Sequence, residues 1–338
     1  MNFVNSRIAT IIVTLLVLTI AIILSPASKY LSASRSFAQI FYSGTTRVST
    51  SAKVSSQLIS TPLNMTGRTP VYFLSHGGPN IMYEKDHPVY PQLQKIGKEI
   101  TQKVKPKAIV VFSAHWQGER DVIEINTSET TDLIYDFYGF PAHYYKETFP
   151  NKGSPEVALK VIAALTNAGI KTQPLRRGLD HGVFGVFKVA FNEQTNPLNI
   201  PIVQVSLYAN EDPAKHLALG RALQPLRDES ICLIMSGMAV HNLRDLRWGF
   251  EGVQPYAKSF DEALREAVES SVEERDGKMI ELLKRKDARP AHPSFEHLLP
   301  VHIGAGAAGS DLGKRLWTKA EGSFSWAQFR FGEVQSEA

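Results

Sequence analysis

From residue 71 onward the chain repeats one constraint: short runs of β-branched and apolar residues alternate with longer stretches of helical period. VYFLS (71–75), AIVVFS (108–113), IPIVQVSL (200–207) and ICLIMS (231–236) read as strands covered on both faces, because their apolar residues do not alternate with polar ones. Segments 91–104, 155–168, 213–226 and 255–272 carry the helical period and each opens on a proline; Ser154 before Pro155 adds a start signal. This alternation predicts an α/β fold: a single domain with a central mixed, largely parallel sheet flanked by helices.

The amino terminus differs from the rest. Residues 8–24 are 17 consecutive residues without a charge, proline, glycine or amide, preceded by Arg7 and ended by Ser25 and Pro26. At about 1.5 Å per residue this barely spans a hydrocarbon core. The expectation is a chain anchored in the membrane by a single pass through this segment, with a cleaved secretory signal or a mitochondrial presequence as alternatives. Residues 26–68, rich in Ser and Thr, read as a flexible linker, residues 69–333 as the folded domain and 334–338 as a tail. No acidic residue precedes Glu84, whereas six basic ones do, so the formal net charge of +4 belongs to the leader and the remainder is slightly acidic. A nucleic-acid partner is therefore not expected.

In a sheet of this kind ligands bind at the carboxyl ends of the strands, and histidines gather there. VYFLSHGGP runs into His76, VVFSAHWQ into His115, and ICLIMSGMAVHNL reaches His241 just beyond its strand. Three imidazoles with open positions suit a catalytic metal if the strands are neighbours. Turn histidines satisfied by backbone would look the same in sequence. His181, in GLDHGVFGVF at a helix start, suits acid–base work, with Asp180 available to orient it; a helix cap is the alternative. His216 on an amphipathic helix reads as solvated, and His87 stands before Pro88 in a polar loop. Cys232, the single cysteine, reads as core and excludes an internal disulfide. Residues 304–309 fit G-x-G-x-x-G, but only 29 residues follow, too few for a dinucleotide-binding unit; small residues packing a helix closely explain them.

With these residues in view, the chain resembles the class III extradiol ring-cleavage dioxygenases, in the branch of the DOPA 4,5-dioxygenases. FLSHGGP, VVFSAHW, GLDHGVFGVF, MSGMAVHNL and HPSFEHLLPVHIGAGAAG occur in that family's order across residues 69–333. The resemblance implies one divalent metal ion, Fe(II) for dioxygenase activity or Zn(II), held by His76, His115 and His241. It implies His181 as the acid–base residue or an additional ligand, and a catechol and O2 as substrates. The wider class uses a glutamate as third ligand; His241 in its place leaves more positive charge at the metal and both ions open. Tyr138 and His143 in YGFPAHYY, and His297 in HPSFEHLLP, are expected to contact substrate, with Phe140 and Trp116 divided between pocket and core. Two other readings stand beside this one: a non-catalytic metal-binding or signalling module of the same fold, and a zinc-dependent hydrolase.

Overall fold

The computed structural model describes residues 67–247 and 252–334. Along them run β1 (Val71–Ser75), α1 (Val89–Lys98), β2 (Ala108–Gln117), β3 (Ile123–Asn126), β4 (Leu133–Ile134), α2 (Pro155–Asn167), β5 (Thr172–Leu175), β6 (Leu179–Asp180) and α3 (His181–Ala190). There follow β7 (Ile202–Leu207), α4 (Pro213–Leu223), β8 (Ile231–Gly237), β9 (Val240–His241), α5 (Pro255–Val268), α6 (Val272–Leu282), α7 (Ala288–Ala291) and α8 (Leu299–Ala308). The strands β10 (Gly313–Trp317), β11 (Ala320–Glu321), β12 (Phe324–Ser325) and β13 (Gln328–Phe331) close the fold.

The four apolar runs form the centre of an eight-stranded sheet ordered β10-β13-β1-β8-β2-β7-β3-β5. Within it β1, β8, β2 and β7 are parallel neighbours. Both flanks bring in antiparallel pairing, through β13 and β10 on one side and β3 on the other. The sheet is thus mixed, with a parallel core. Alternate residues feed two apolar layers: Val71, Phe73, Val110 and Leu233 pack with α2, α4, α5, α6 and α8, while Tyr72, Leu74, Val111 and Ile234 pack with α1 and α3. Burial on both faces is why these strands read as continuous apolar runs.

Three features depart from the pattern. Segment 255–272 is broken after Val268, where Ser270 turns its hydroxyl onto the Ala267 carbonyl at 2.7 Å and α6 starts afresh; serine competes for backbone in this way and suits helix ends. The strands after residue 312 had no apolar signature, because their charges are neutralised in the fold: Arg330 of β13 bonds Glu99 at 3.0 Å across the chain. The single-pass anchor expected of residues 8–24 is corrected. No helix among the described residues is long and apolar enough to cross a membrane, and 17 residues reach only about 26 Å against a core of about 30 Å. Residues 8–24 and the targeting alternatives attached to them lie outside the described residues.

The glycine-rich helix α8 packs as its composition suggested. A Cβ on Gly220 of α4 would lie 1.9 Å from the Ile303 carbonyl oxygen, and one on Gly306 would lie 2.0 Å from that of Leu217, so the two helices meet backbone to backbone. Gly220→Ala is expected to force them apart and cost about 1–3 kcal/mol of unfolding free energy. Urea unfolding checks this; an unchanged midpoint would mean that the two helices can separate at no cost.

His216 is not solvated but fully buried, as are His292 and His302. Burial pushes all three down to about 4 from an ordinary 6.5. The unfolded chain therefore binds protons more readily between these values, so the stability is intact above pH 6.5 and is lost as pH falls toward 4. Going from pH 7 to pH 5 is expected to cost on the order of 1–2 kcal/mol per histidine, read as a fall in the urea midpoint.

Candidate active site and metal centre

Because β1, β8 and β2 are adjacent and parallel, their carboxyl ends open on one edge, where such folds bind ligands. His76 follows Ser75 directly. His115 lies near the end of β2, where the ladder to β7 shifts register between Phe112 and Gln117. His241 ends β9, held to β12 by the pair Phe324 and His241. His181 is the first residue of α3. His297 arrives from the segment before α8, whose His297 carbonyl accepts the Met238 N–H at 2.9 Å. A Cβ on Gly237 would sit 2.2 Å from that carbonyl. Glycine at the end of β8 is what lets this segment come so close.

The structure brings His76, His115, His181, His241 and His297 into one cluster. Ring centroids lie 5.1 Å apart for His76 and His115, 4.1 Å for His115 and His181, and 5.3 Å for His76 and His297. His241 stacks on His297 at 3.7 Å and 14°. The other two expected substrate contacts stand outside the cluster. Tyr138 is 92% exposed, and the exposed His143 packs its ring against Tyr83 and Tyr144. Trp116 is core: its indole N–H donates to Glu124 at 2.9 Å and Arg177 covers its face. Phe140 is half-buried against Phe137 and Tyr144.

Hydrogen bonds assign the tautomers. The Nδ1–H of His76 donates to the Gly77 carbonyl at 2.6 Å, that of His115 to Asp136 at 3.0 Å, and that of His297 to Glu296 at 2.9 Å. Each ring is left with an Nε2 lone pair, because a neutral imidazole carries one proton. His76, His115 and His297 each offer one nitrogen, and these lie within 4.8 Å of one another. The Nε2 atoms of His115 and His297 face each other at 3.3 Å, and the buried His76 Nε2 has no hydrogen-bond partner among the described residues. With the proton of each ring on Nδ1, the converging Nε2 lone pairs are free to take a cation. Neutral nitrogens, each oriented by a second hydrogen bond, are the donor set a divalent transition metal takes. A further group, His241 with Glu296 and His297, adjoins the first.

Burial, reinforced by the neighbouring imidazoles, holds His76 and His297 well below the ordinary histidine value, and burial takes His241 down to about 3. His181 is lowered by burial against the opposing bond from Asp136. All four are thus neutral at neutral pH, the form that ligates or accepts a proton.

Asp180 does not orient His181. Its fully buried carboxylate takes bonds from Ser113 at 2.6 Å, Gln204 at 2.5 Å and Arg177 at 2.9 Å, fixing the end of β2 to the start of α3. Adjacent side chains diverge here, and Asp136 does the work instead: one oxygen accepts His181 Nδ1–H at 2.8 Å and the His181 backbone N–H at 3.0 Å. The two hydrogen bonds from His115 and His181 outweigh its partial burial and hold its carboxyl well below the usual range. Asp136 and Glu296 were missed in the sequence. The only signal for Asp136 was an acid amid aromatics in YDFYGF, and for Glu296 its place next to His297.

Residues 70–329 match the family model described as the catalytic LigB subunit of aromatic ring-opening dioxygenase. A 4,5-DOPA dioxygenase extradiol of Beta vulgaris is 35% identical over 77% of this chain and 95% of its own length. One from Escherichia coli K12 is 33% identical over 71% of this chain and 85% of its own. The crystal structure of an uncharacterized protein, JW3007, from the same bacterium aligns with a TM-score of 0.64 at 31% identity, covering 78% of this chain and all of that one. With the family model spanning most of the chain and the histidine edge intact, this protein belongs to the LigB family of ring-opening dioxygenases, in the branch of the DOPA extradiol enzymes, and is an extradiol dioxygenase.

Proposed function

We propose that the chain opens the ring of a DOPA-like catechol with O2, using one divalent ion held by His76, His115 and His297, with His241 stacked beside them as a further ligand and His181 as the acid–base residue. The observation that carries this is the convergence of three Nε2 lone pairs whose rings are each pinned at Nδ1 by an oxygen. A bound ion makes the hydroxyls of a chelated catechol more acidic, and iron, unlike zinc, adds the redox change that dioxygen chemistry requires. Fe(II) is therefore the ion proposed for turnover.

The residues of the chain supply the rest. His181, 7% exposed and pinned at Nδ1, presents Nε2 as the atom that accepts a proton from a catechol hydroxyl and returns it as the ring opens. Its ring centroid lies 5.8 Å from that of His76, within reach of a ligand at the same edge. Phe137 meets the His181 ring edge-on at 5.5 Å and gives the site an apolar wall that favours a planar aromatic guest. Tyr138 and His143, on the exposed turn that leaves this wall, are proposed to read the substituent of the ring.

Oxygen uptake tests the reading. The full-length chain, loaded anaerobically with Fe(II), is expected to consume O2 with DOPA or another catechol and to form a coloured ring-opened product, and the zinc form is expected to be inert. Absence of uptake across a catechol panel, with iron verified as bound, would overturn the substrate assignment.

A further inference from the structure

Asp136 hydrogen-bonds both a metal-site imidazole, His115, and the acid–base imidazole, His181. We infer that it is a positioning residue that sets, with a single carboxylate, the tautomers of a metal-binding imidazole and of the acid–base imidazole. The inference rests on the reading of the cluster as a metal site.

The geometry is made by a small two-stranded sheet. Parallel β4 and β6 pair Leu133 with Leu179 and Ile134 with Asp180, which carries Asp136, two residues on, to the start of α3. One carboxylate oxygen then accepts two donors from His181, the ring Nδ1–H at 2.8 Å and the backbone N–H at 3.0 Å. The other oxygen accepts His115 Nδ1–H at 3.0 Å. A carboxylate is acceptor on both sides, so both rings keep the proton on Nδ1 and leave Nε2 bare. For His115 that bare atom is the one facing His297 Nε2 at 3.3 Å.

An amide in this place cannot satisfy both sides. The backbone N–H of His181 is a donor under all conditions, so the oxygen of an asparagine must remain there. Its NH2 group is then turned on His115 Nδ1, which becomes an acceptor and moves its proton to Nε2, the position a metal needs. Alanine removes the carboxylate without imposing a tautomer, because a water can take the His115 Nδ1–H. The near-isosteric substitution is therefore expected to damage metal binding more than the truncation, the reverse of what a purely structural role would produce.

The test uses the full-length chain, with Asp136→Asn and Asp136→Ala compared with the unmodified protein by competitive Zn(II) titration and by long-range 1H–15N spectra of the histidine rings in the metal-free state. Zinc affinity is expected to fall about 10-fold in Asp136→Ala and about 100-fold in Asp136→Asn, the range for losing an outer partner of a ligand. The spectra are expected to show His115 and His181 both protonated at Nδ1 in the unmodified protein. In Asp136→Asn the His115 proton moves to Nε2 while His181 keeps its own. An unmodified protein with either ring protonated at Nε2 overturns the inference without any variant. So does an Asp136→Asn protein that binds zinc as tightly as Asp136→Ala. If the unmodified protein binds no zinc but shows the expected tautomers, the metal reading fails while the tautomer assignment stands.

Discussion

His115→Ala and His297→Ala are each expected to weaken Zn(II) and Fe(II) binding by more than about 100-fold, beyond the range for losing an outer partner, and to abolish O2 uptake at micromolar metal. The reason is the shared geometry. Each of the two rings contributes one of the three converging nitrogens, and their Nε2 atoms stand 3.3 Å apart. Removing either leaves only two of the three converging nitrogens, with the stacked His241 as the remaining ligand, where a catalytic metal ordinarily takes three well-placed ligands from the protein. His241→Ala is the informative companion. Its ring is stacked on His297 at 3.7 Å but is not one of the converging three, so its loss is expected to cost less affinity than that of His297. Metal content after dialysis and competitive titration measure all three variants. If His297→Ala holds metal like the unmodified protein while His241→Ala loses it, the third ligand is His241 and His297 serves the substrate.

His181→Ala is expected to lower kcat by about 10²–10⁴-fold with metal content unchanged, the usual worth of a positioned acid–base group. Its Nδ1 is engaged by Asp136, and Ser113 and Gln204 tie neighbouring Asp180 into the fold, so the loop has support that does not depend on the imidazole. A loss confined to kcat, with KM near its original value, identifies a group acting in the transition state rather than in binding. A parallel fall in bound iron would instead make His181 a further ligand.

Much of the fold was legible because its central strands are buried on both faces: continuous apolar runs such as ICLIMS can pack in few other ways. The closing strands were not, since GKRLW and QFRF carry cations whose partners come from distant parts of the chain; Arg315 reaches Asp261 and Arg330 reaches Glu99. The same contrast runs through the site. His76 and His115 announced themselves because a polar residue at the end of a buried run has few reasons to be there. Asp136 lies in irregular chain just after β4, with no periodicity, and its partners are 21 and 45 residues away, brought to it by a pairing of only two residues per strand.

By itself the sequence determined the α/β layering and the delivery of imidazoles to strand ends, because hydrophobic period and strand termination are local properties. Only the tertiary structure decided that β8 lies between β1 and β2, that a glycine at its end admits His297 to the cluster, and that Asp136 rather than Asp180 orients His181. Those depend on which segments pack together and which lone pairs are left facing inward, and no local pattern of residues carries that information.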